Sequence, residues 1–149
     1  MVQPERLAAR AERVAGGLDE LEEWLRDQVA RGIAQLGQGV SENRIVLDPG
    51  HDLNKNTRHS LELTRRLSEI ADLGLPLLAA ISNKDFVGEA TGLAGPDRMP
   101  ASIAAATVCA LAGARILRMH DVAAAVAAAR MTECILGIRE PAELRHNLE

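Results

Sequence analysis

Aromatic residues are nearly absent from the chain. Of its 149 residues only Trp24 and Phe86 carry a large aromatic ring, and there is no tyrosine. Because single-stranded nucleic acids bind largely by stacking their bases on aromatic side chains, this scarcity argues against such a ligand. The core must instead be built from aliphatic residues, since 47% of the chain is hydrophobic and alanine supplies much of that share.

Concentrated charge of one sign and long apolar runs are also missing. The 17 basic and 21 acidic residues are mixed along the chain and give a net charge of −4, whereas a nucleic-acid surface or a polybasic anchor needs clustered Lys and Arg. No apolar run reaches the roughly 18 residues that span a membrane. The N-terminus has no uninterrupted apolar stretch typical of a secretory signal. We therefore predict a cytoplasmic protein with no nucleic-acid or membrane partner.

Several kinds of reactive site have no sequence signature here. The two cysteines, Cys109 and Cys134, lie in apolar helical contexts, so we predict reduced, buried thiols rather than disulfides. Neither a Gly-rich phosphate loop nor a nucleophile elbow is found. His51, Asp52 and His59 suggest a metal site by residue type, but their spacing fits no zinc pattern. No metal ligand is therefore predicted in this chain.

Apolar residues at helical spacing alternate with short apolar runs of strand length. The pattern predicts helices over 19–37, 57–74 and 100–113 and after Asp121, strands at 44–47, 75–81 and 114–119, and a polar loop over 84–98. Such alternation predicts parallel strands with crossover helices. The strand tips, at Asp48, Ser82 and Arg118, are 34 and 36 positions apart, which suits one strand–helix unit of about 30 or more residues each.

Polar residues follow each predicted strand: Asp48 after the first, Ser82, Asn83 and Lys84 after the second, Arg118 and His120 at the third. The carboxyl ends of parallel strands meet at one edge of a sheet, and ligands bind there in α/β folds. The sequence therefore predicts a ligand site at this edge.

Each of these residues also has a purely structural alternative. Asp48 suits a ligand with adjacent N–H donors, but Asp-Pro-Gly is also good turn chemistry. Lys84 can neutralise a carbonyl or carboxylate, or be a solvated loop lysine. Arg118 and His120 share one strand face and suit a phosphate. Alternatively, Arg118 forms a salt bridge and His120 packs beside Asp121.

The motifs at the tips resemble those of dihydropteroate synthases. "LDPG" ends the first strand, "SNKDF" with Gly88 follows the second, and "ARILRMHDV" spans the third. The resemblance covers roughly Asp19 to Gly137 and implies an α/β fold, the (β/α)8 or TIM barrel. This chain would carry its C-terminal half, with three parallel strands alternating with helices. It also implies an N-terminal extension over 1–18, helical or disordered, a partial barrel over 19–137, and a polar tail over 138–149.

The resemblance implies an activity and a role for each tip residue. The family condenses a pyrophosphorylated hydroxymethyl-dihydropterin with p-aminobenzoate and releases pyrophosphate, a step of folate biosynthesis. By resemblance, Asp48 and Lys84 bind the pterin, Ser82 lies on the aminobenzoate side, and Arg118 and His120 bind pyrophosphate. The catalytic residues are then those three cationic groups: Lys84, Arg118 and His120. Mg²⁺ is expected for the family, with ligands outside this sequence.

Two departures from the family pattern fall on the aminobenzoate side. Asn83 stands where the family usually has arginine, and Leu53 stands where an aromatic residue is usual. The pattern resembles the divergent second paralogue that accompanies the main synthase in actinobacteria. We therefore expect the acceptor to be p-aminobenzoate or a related amine.

The length of the chain conflicts with a whole barrel, which typically needs about 250 residues. We expect a pterin transferase that needs the other half of the barrel, and this chain alone to be inactive. The alternative is a non-catalytic half-barrel that binds pterin or a partner, and pairs with a second copy to cover its open sheet edges. Pterin-dependent methyl transfer is disfavoured because "RMHDV" suits a pyrophosphate leaving group.

Overall fold

A computed structural model describes residues 41–146. The chain divides into two compact units, Met1–Ile45 and Val46–Glu149. The described part of the first unit, residues 41–45, contains one 3-10 turn, Glu42–Arg44. The predicted helix over 19–37 and the extension over 1–18 lie outside the described residues. The architecture below is that of the second unit.

Helices and strands alternate along the second unit, as the apolar pattern predicts. They are α1 (Thr57–Arg65), α2 (Leu67–Ala71), β1 (Leu78–Ala80), α3 (Asp85–Thr91), α4 (Met99–Leu111), β2 (Ile116–Arg118) and α5 (Val122–Ile135), with a 3-10 turn (Gly95–Arg98) before α4. None of these helices is long and apolar enough to cross a membrane.

The strands form a small parallel sheet. β1 pairs with β2 from Leu78 opposite Ile116 to Ala80 opposite Arg118. On the other side of β1, Leu47 forms an isolated parallel bridge with Leu77. The parallel order of the three segments is therefore confirmed. The strand predicted over 44–47 is too long, because only Leu47 pairs and Glu42–Arg44 turns as a 3-10 helix.

The core surrounds β1. Leu77, Ala79 and Ile81 are fully buried, and Ala80 between them is 6% exposed. Burial on both faces explains why this run is almost continuously apolar rather than alternating. Cys109 of α4 belongs to the same core, and burial raises the pKa of its thiol to about 11. Cys109 and Cys134 are both free thiols, although Cys134 is only half-buried.

The helix predicted over 57–74 is interrupted at Arg66. The backbone there leaves the α region, with φ −101° and ψ 15°. Two residues earlier, the Thr64 hydroxyl donates to the Ser60 carbonyl at 2.8 Å, a hydrogen bond of the type that often bends helices. Thr57, where the predicted helix starts and which suits a cap by residue type, is not the cap: Asn56 caps α1, and its Oδ1 accepts from the His59 N–H at 3.0 Å.

The polar loop predicted over 84–98 is instead largely helical, since it contains α3 and the 3-10 turn. Gly88 lowers the intrinsic helix propensity of this segment. The Arg98 side chain packs closely against Gly88, because a Cβ there would lie 2.4 Å from Arg98 Nε and would displace that side chain. Here tertiary contacts override the local sequence preference.

The last two helices begin largely as predicted. Pro100 lies in the first turn of α4, and Asp121 caps α5 by accepting from the Ala124 N–H at 2.9 Å. The apolar residues Val122 and Val126 of α5 are exposed, at 65% and 41%, and its buried residue is Ala125.

Candidate anion site at the strand ends

The ends of β1 and β2 border a cavity of about 170 Å³. Its lining consists of Ala80, Ser82, Lys84, Arg118, Met119 and His120. Four of the seven residues that the sequence predicts for the site are thus brought together: Ser82, Lys84, Arg118 and His120. The cavity is smaller than the roughly 300–1,000 Å³ of typical small-molecule pockets, so it suits one anionic group rather than a whole two-ring ligand.

Ser82 and His120 join the two strand tips. The Ser82 hydroxyl oxygen accepts from the backbone N–H of His120 at 3.1 Å. The same oxygen lies 2.9 Å from Nδ1 of the His120 ring. Ser82 is 8% exposed, so its hydroxyl is bonded within the protein rather than to bulk solvent.

The cations at the cavity differ in how strongly the protein holds them. Lys84 is half-buried, and its ammonium donates to the backbone carbonyl of His51. Arg118 is exposed, and its guanidinium makes no hydrogen bond or ion pair within residues 41–146. A guanidinium without a protein partner at a cavity wall is available for bidentate binding of a phosphate or carboxylate.

Asp48, Asn83 and Leu53, the other three predicted residues, do not line this cavity. One carboxylate oxygen of Asp48 accepts from the Gly50 N–H at 2.9 Å, which closes the Asp-Pro-Gly turn. Leu53 is 65% exposed. Asn83 has φ 56°, and its N–H donates to Ser102 Oγ at 3.0 Å.

A guanidinium lies beside Asn83 although the chain has no arginine at that position. Nη1 of Arg98 donates to the Asn83 carbonyl at 3.1 Å and to Oδ1 of Asp85 at 2.9 Å. Nε of the same side chain donates to the Leu93 carbonyl at 3.2 Å. Arg98 therefore braces the turn that follows β1, which the sequence pattern did not predict.

His51 is a buried packing element beside the site. Its ring stacks on Phe86 with centroids 5.7 Å apart, and Nε2 lies 3.1 Å from Thr64 Oγ1. Burial, then the positive charge of Lys84, lower the His51 pKa to about 4, while the Asp48 carboxylate opposes the shift. The imidazole is therefore neutral at physiological pH. Residues 41–146 contain no cluster of three or more His, Cys, Asp or Glu placed to hold a metal ion.

Asp52 connects the polar loop after Leu47 to the start of α3. Its Oδ2 accepts from the N–H groups of Asp85 at 2.7 Å and Phe86 at 3.3 Å. Its Oδ1 accepts from the Ser60 hydroxyl at 3.1 Å. Asp52 has φ 62°, a left-handed conformation that Asp tolerates better than most residues. The sequence pattern does not predict that Asp52 caps this helix, because the helix starts 33 positions further along the chain.

A guanidinium, an ammonium and an imidazole lie together at the ends of neighbouring parallel strands of this α/β protein, and they form a candidate anion site at the carboxyl edge of its sheet. The family model of pterin-binding enzymes matches residues 2–120. The chain belongs to that family.

Individual relatives include proteins named as inactive dihydropteroate synthases and proteins named as dihydropteroate synthases. The chain is 42% identical over 106 residues to "Inactive dihydropteroate synthase 2" of Mycobacterium tuberculosis, covering 71% of this chain and 33% of the relative. It is 35% identical over 121 residues to the dihydropteroate synthase of Escherichia coli, covering 81% and 42%. The chain thus spans less than half the length of these curated relatives.

The fold resembles that of solved synthases. The dihydropteroate synthase of Xanthomonas albilineans in complex with 7,8-dihydropteroate matches with a TM-score of 0.73 and 35% identity, covering 80% of this chain and 46% of the other. The parallel α/β arrangement is therefore that of a dihydropteroate synthase.

Proposed function

We propose that the chain supplies the pyrophosphate-binding side of a dihydropteroate synthase-like pterin transferase. In this proposal residues 19–137 are the C-terminal half of a (β/α)8 barrel, flanked by an extension over 1–18 and a tail over 138–149. The observation that carries the proposal is the cavity shared by Lys84, Arg118 and His120, where the guanidinium of Arg118 has no partner among residues 41–146. The transferase would need the barrel half that this sequence does not include.

The reaction would be a substitution at the methylene carbon of hydroxymethyl-dihydropterin pyrophosphate. The carbon–oxygen bond breaks and pyrophosphate leaves with the electron pair. The nitrogen of p-aminobenzoate or a related amine forms the new bond and loses a proton. Negative charge grows on the departing oxygen, so the Arg118 guanidinium and an N–H of the His120 ring would stabilise the transition state more than the substrate.

The remaining roles follow the resemblance. Lys84 would contact the pterin carbonyl, and Asp48 would bind the aminopyrimidine edge through the carboxylate oxygen that Gly50 does not occupy. Ser82, Asn83 and Leu53 would lie on the aminobenzoate side.

Mg²⁺, which the resemblance implies, does not fit the described residues. Acidic and histidine side chains are not clustered to hold a metal within 41–146. Its ligands would lie elsewhere in the full barrel, and the roles proposed above do not depend on the ion.

A second candidate is a non-catalytic protein that binds pterin pyrophosphate or a partner protein. It is favoured by the 42% identity to a relative named inactive, against 35% to a relative named dihydropteroate synthase without that qualifier. The non-catalytic candidate is also consistent with two residues on the acceptor side, since Asn83 replaces the usual arginine and Leu53 replaces the usual aromatic residue. Under either candidate we propose a cytoplasmic homo-oligomer, because a sheet of this size leaves edges that a second copy can cover.

Calorimetry tests the proposal. Hydroxymethyl-dihydropterin pyrophosphate and inorganic pyrophosphate should both bind the chain, and the phosphate-free pterin should bind more weakly. Equal affinity for the pterin with and without pyrophosphate would contradict the proposed site. Turnover with p-aminobenzoate, measured after adding the front half of a related synthase, then separates the transferase from the non-catalytic candidate.

A further inference from the structure

We propose that Ser82 is a positioning residue that makes His120 present an Nε2–H donor whether its ring is neutral or cationic. The identity of the anion that receives this hydrogen bond rests on the function proposed above. The orientation of the ring by Ser82 does not, because it follows from contacts within the protein.

Two contacts from one hydroxyl hold His120 at both its backbone and its ring. The Ser82 oxygen accepts from the His120 N–H at 3.1 Å and lies 2.9 Å from Nδ1. A serine hydroxyl has two acceptor lone pairs and one proton. One lone pair is used by the backbone N–H, so one lone pair and one proton remain for Nδ1.

In the neutral ring, the Ser82 proton is donated to an unprotonated Nδ1, because this buried hydroxyl has no other acceptor within residues 41–146. A neutral ring with its proton on Nδ1 would leave the Ser82 proton unbonded, which costs free energy. The ring proton must then be on Nε2, because a neutral imidazole carries one proton on its two nitrogens. In the cationic ring, Nδ1 carries a proton and donates it to the second lone pair of Ser82. Nε2 carries its own proton in this state as well.

Nε2 is therefore a donor in both charge states. It has no hydrogen-bond partner within residues 41–146, and His120 lines the cavity that also contains Arg118. Phosphate and carboxylate oxygens accept hydrogen bonds and do not donate them when ionised. A nitrogen that is always a donor suits such a ligand, whereas the other neutral tautomer would present a repelling lone pair.

This role leaves Ser82 unable to serve as a donor to an acceptor carboxylate while His120 is neutral. Its single proton is directed to Nδ1, and the second lone pair can only accept. While His120 is neutral, the hydrogen bond from Ser82 to Nδ1 thus takes the place of the aminobenzoate contact that the family resemblance implies for Ser82.

The first test measures the histidine ring directly by ¹⁵N NMR of the chain at about pH 8, above the ordinary histidine pKa of about 6.5. A His120→Gln variant assigns the signals. The unmodified chain should show a protonated Nε2 and an Nδ1 shifted by an accepted hydrogen bond. Ser82→Ala should move Nδ1 to an unbonded position or mix the tautomers, and Ser82→Thr should restore it.

Ser102→Ala is the matched control. Ser102 is also a buried serine, and its hydroxyl accepts from the Asn83 N–H and donates to the Arg98 carbonyl, both at 3.0 Å. Its loss should lower stability without moving the His120 nitrogens. Identical His120 shifts in the unmodified chain and in Ser82→Ala would overturn the proposal, and so would an equal change in Ser102→Ala.

The second test titrates inorganic pyrophosphate into the same variants. Ser82→Ala should weaken binding about fivefold to tenfold, the share of one misdirected hydrogen bond, while Ser82→Thr and Ser102→Ala should bind as the unmodified chain does. Unchanged affinity in Ser82→Ala would overturn the link to the anion. If the unmodified chain binds no pyrophosphate, the proposed function fails, and the NMR result still decides whether Ser82 positions His120.

Discussion

The carboxylate of Asp52 accepts a hydrogen bond from the backbone N–H of Asp85 at 2.7 Å, across 33 positions of sequence. The first N–H groups of a helix have no partner within the helix. A carboxylate at this end accepts their hydrogen bonds and interacts favourably with the positive end of the helix dipole. Lys84, immediately before α3, provides no side-chain cap of its own. The loop after Leu47 therefore supplies the cap that positions the start of α3 next to Lys84.

Asp52→Asn should lower the free energy of unfolding by about 1–2 kcal/mol, because charge-assisted hydrogen bonds to two N–H groups are weakened. Asparagine tolerates φ 62° as aspartate does, so backbone strain is not added. Urea unfolding followed by circular dichroism measures the change. Asp72→Asn, at an exposed carboxylate, should stay within about 0.5 kcal/mol, and an equal loss in both variants would contradict the capping role.

His51 should make stability depend on pH between about 4 and 6.5. Its folded-state pKa is lowered from 6.5 to about 4, chiefly by burial and next by Lys84. The unfolded chain binds a proton in this window and the folded chain does not, so acid favours unfolding. We expect the free energy of unfolding to fall by up to about 3 kcal/mol as the pH drops through this range.

His51→Gln isolates that contribution. The variant is expected to be less stable at neutral pH, since it loses the ring stacked on Phe86, but its stability should fall less steeply on acidification. Carboxylates titrate alike in both proteins, so the difference between the two curves belongs to His51. His59→Gln serves as the control and should keep the unmodified slope. Parallel curves for the unmodified chain and His51→Gln would refute the prediction.

Arg118→Ala should weaken binding of the pyrophosphorylated pterin about tenfold to a hundredfold, because hydrogen bonds to a charged partner are the stronger class. Binding of the phosphate-free pterin should change little. Calorimetry on both ligands measures the contrast. Arg115→Ala removes an exposed guanidinium that does not line the cavity and should leave both affinities unchanged. Equal losses for both ligands in Arg118→Ala would mean that the side chain is structural.

The 149-residue chain by itself should form no measurable dihydropteroate. It spans 42% of the Escherichia coli synthase, and orienting two substrates contributes about 7–11 kcal/mol in well-positioned reactions. A coupled pyrophosphate-release assay with p-aminobenzoate tests this expectation. Turnover by a monodisperse monomer of this chain would show that the rest of the barrel is not required.

Linear order and composition were enough to predict the parallel α/β arrangement and four of the residues that meet at its edge, Ser82, Lys84, Arg118 and His120. A run buried on both faces has to be apolar throughout, as Leu77 to Ile81 is, and such runs separated by helices pair in parallel. Polar residues that follow them, such as Ser82 and Arg118, then share one edge whatever the details of packing.

The partners of those residues depended on folding in three dimensions. Asp52 caps a helix from a distant loop, the ring of His51 stacks on Phe86, and Ser82 bonds His120 across 38 positions. Local propensity carries no information about such contacts, because each depends on which segments the sheet brings together. For the same reason α3 was not predicted: the polar segment with Gly88 favours a loop along the chain, whereas in the fold the distant Asp52 caps the start of α3 and Arg98 packs against Gly88.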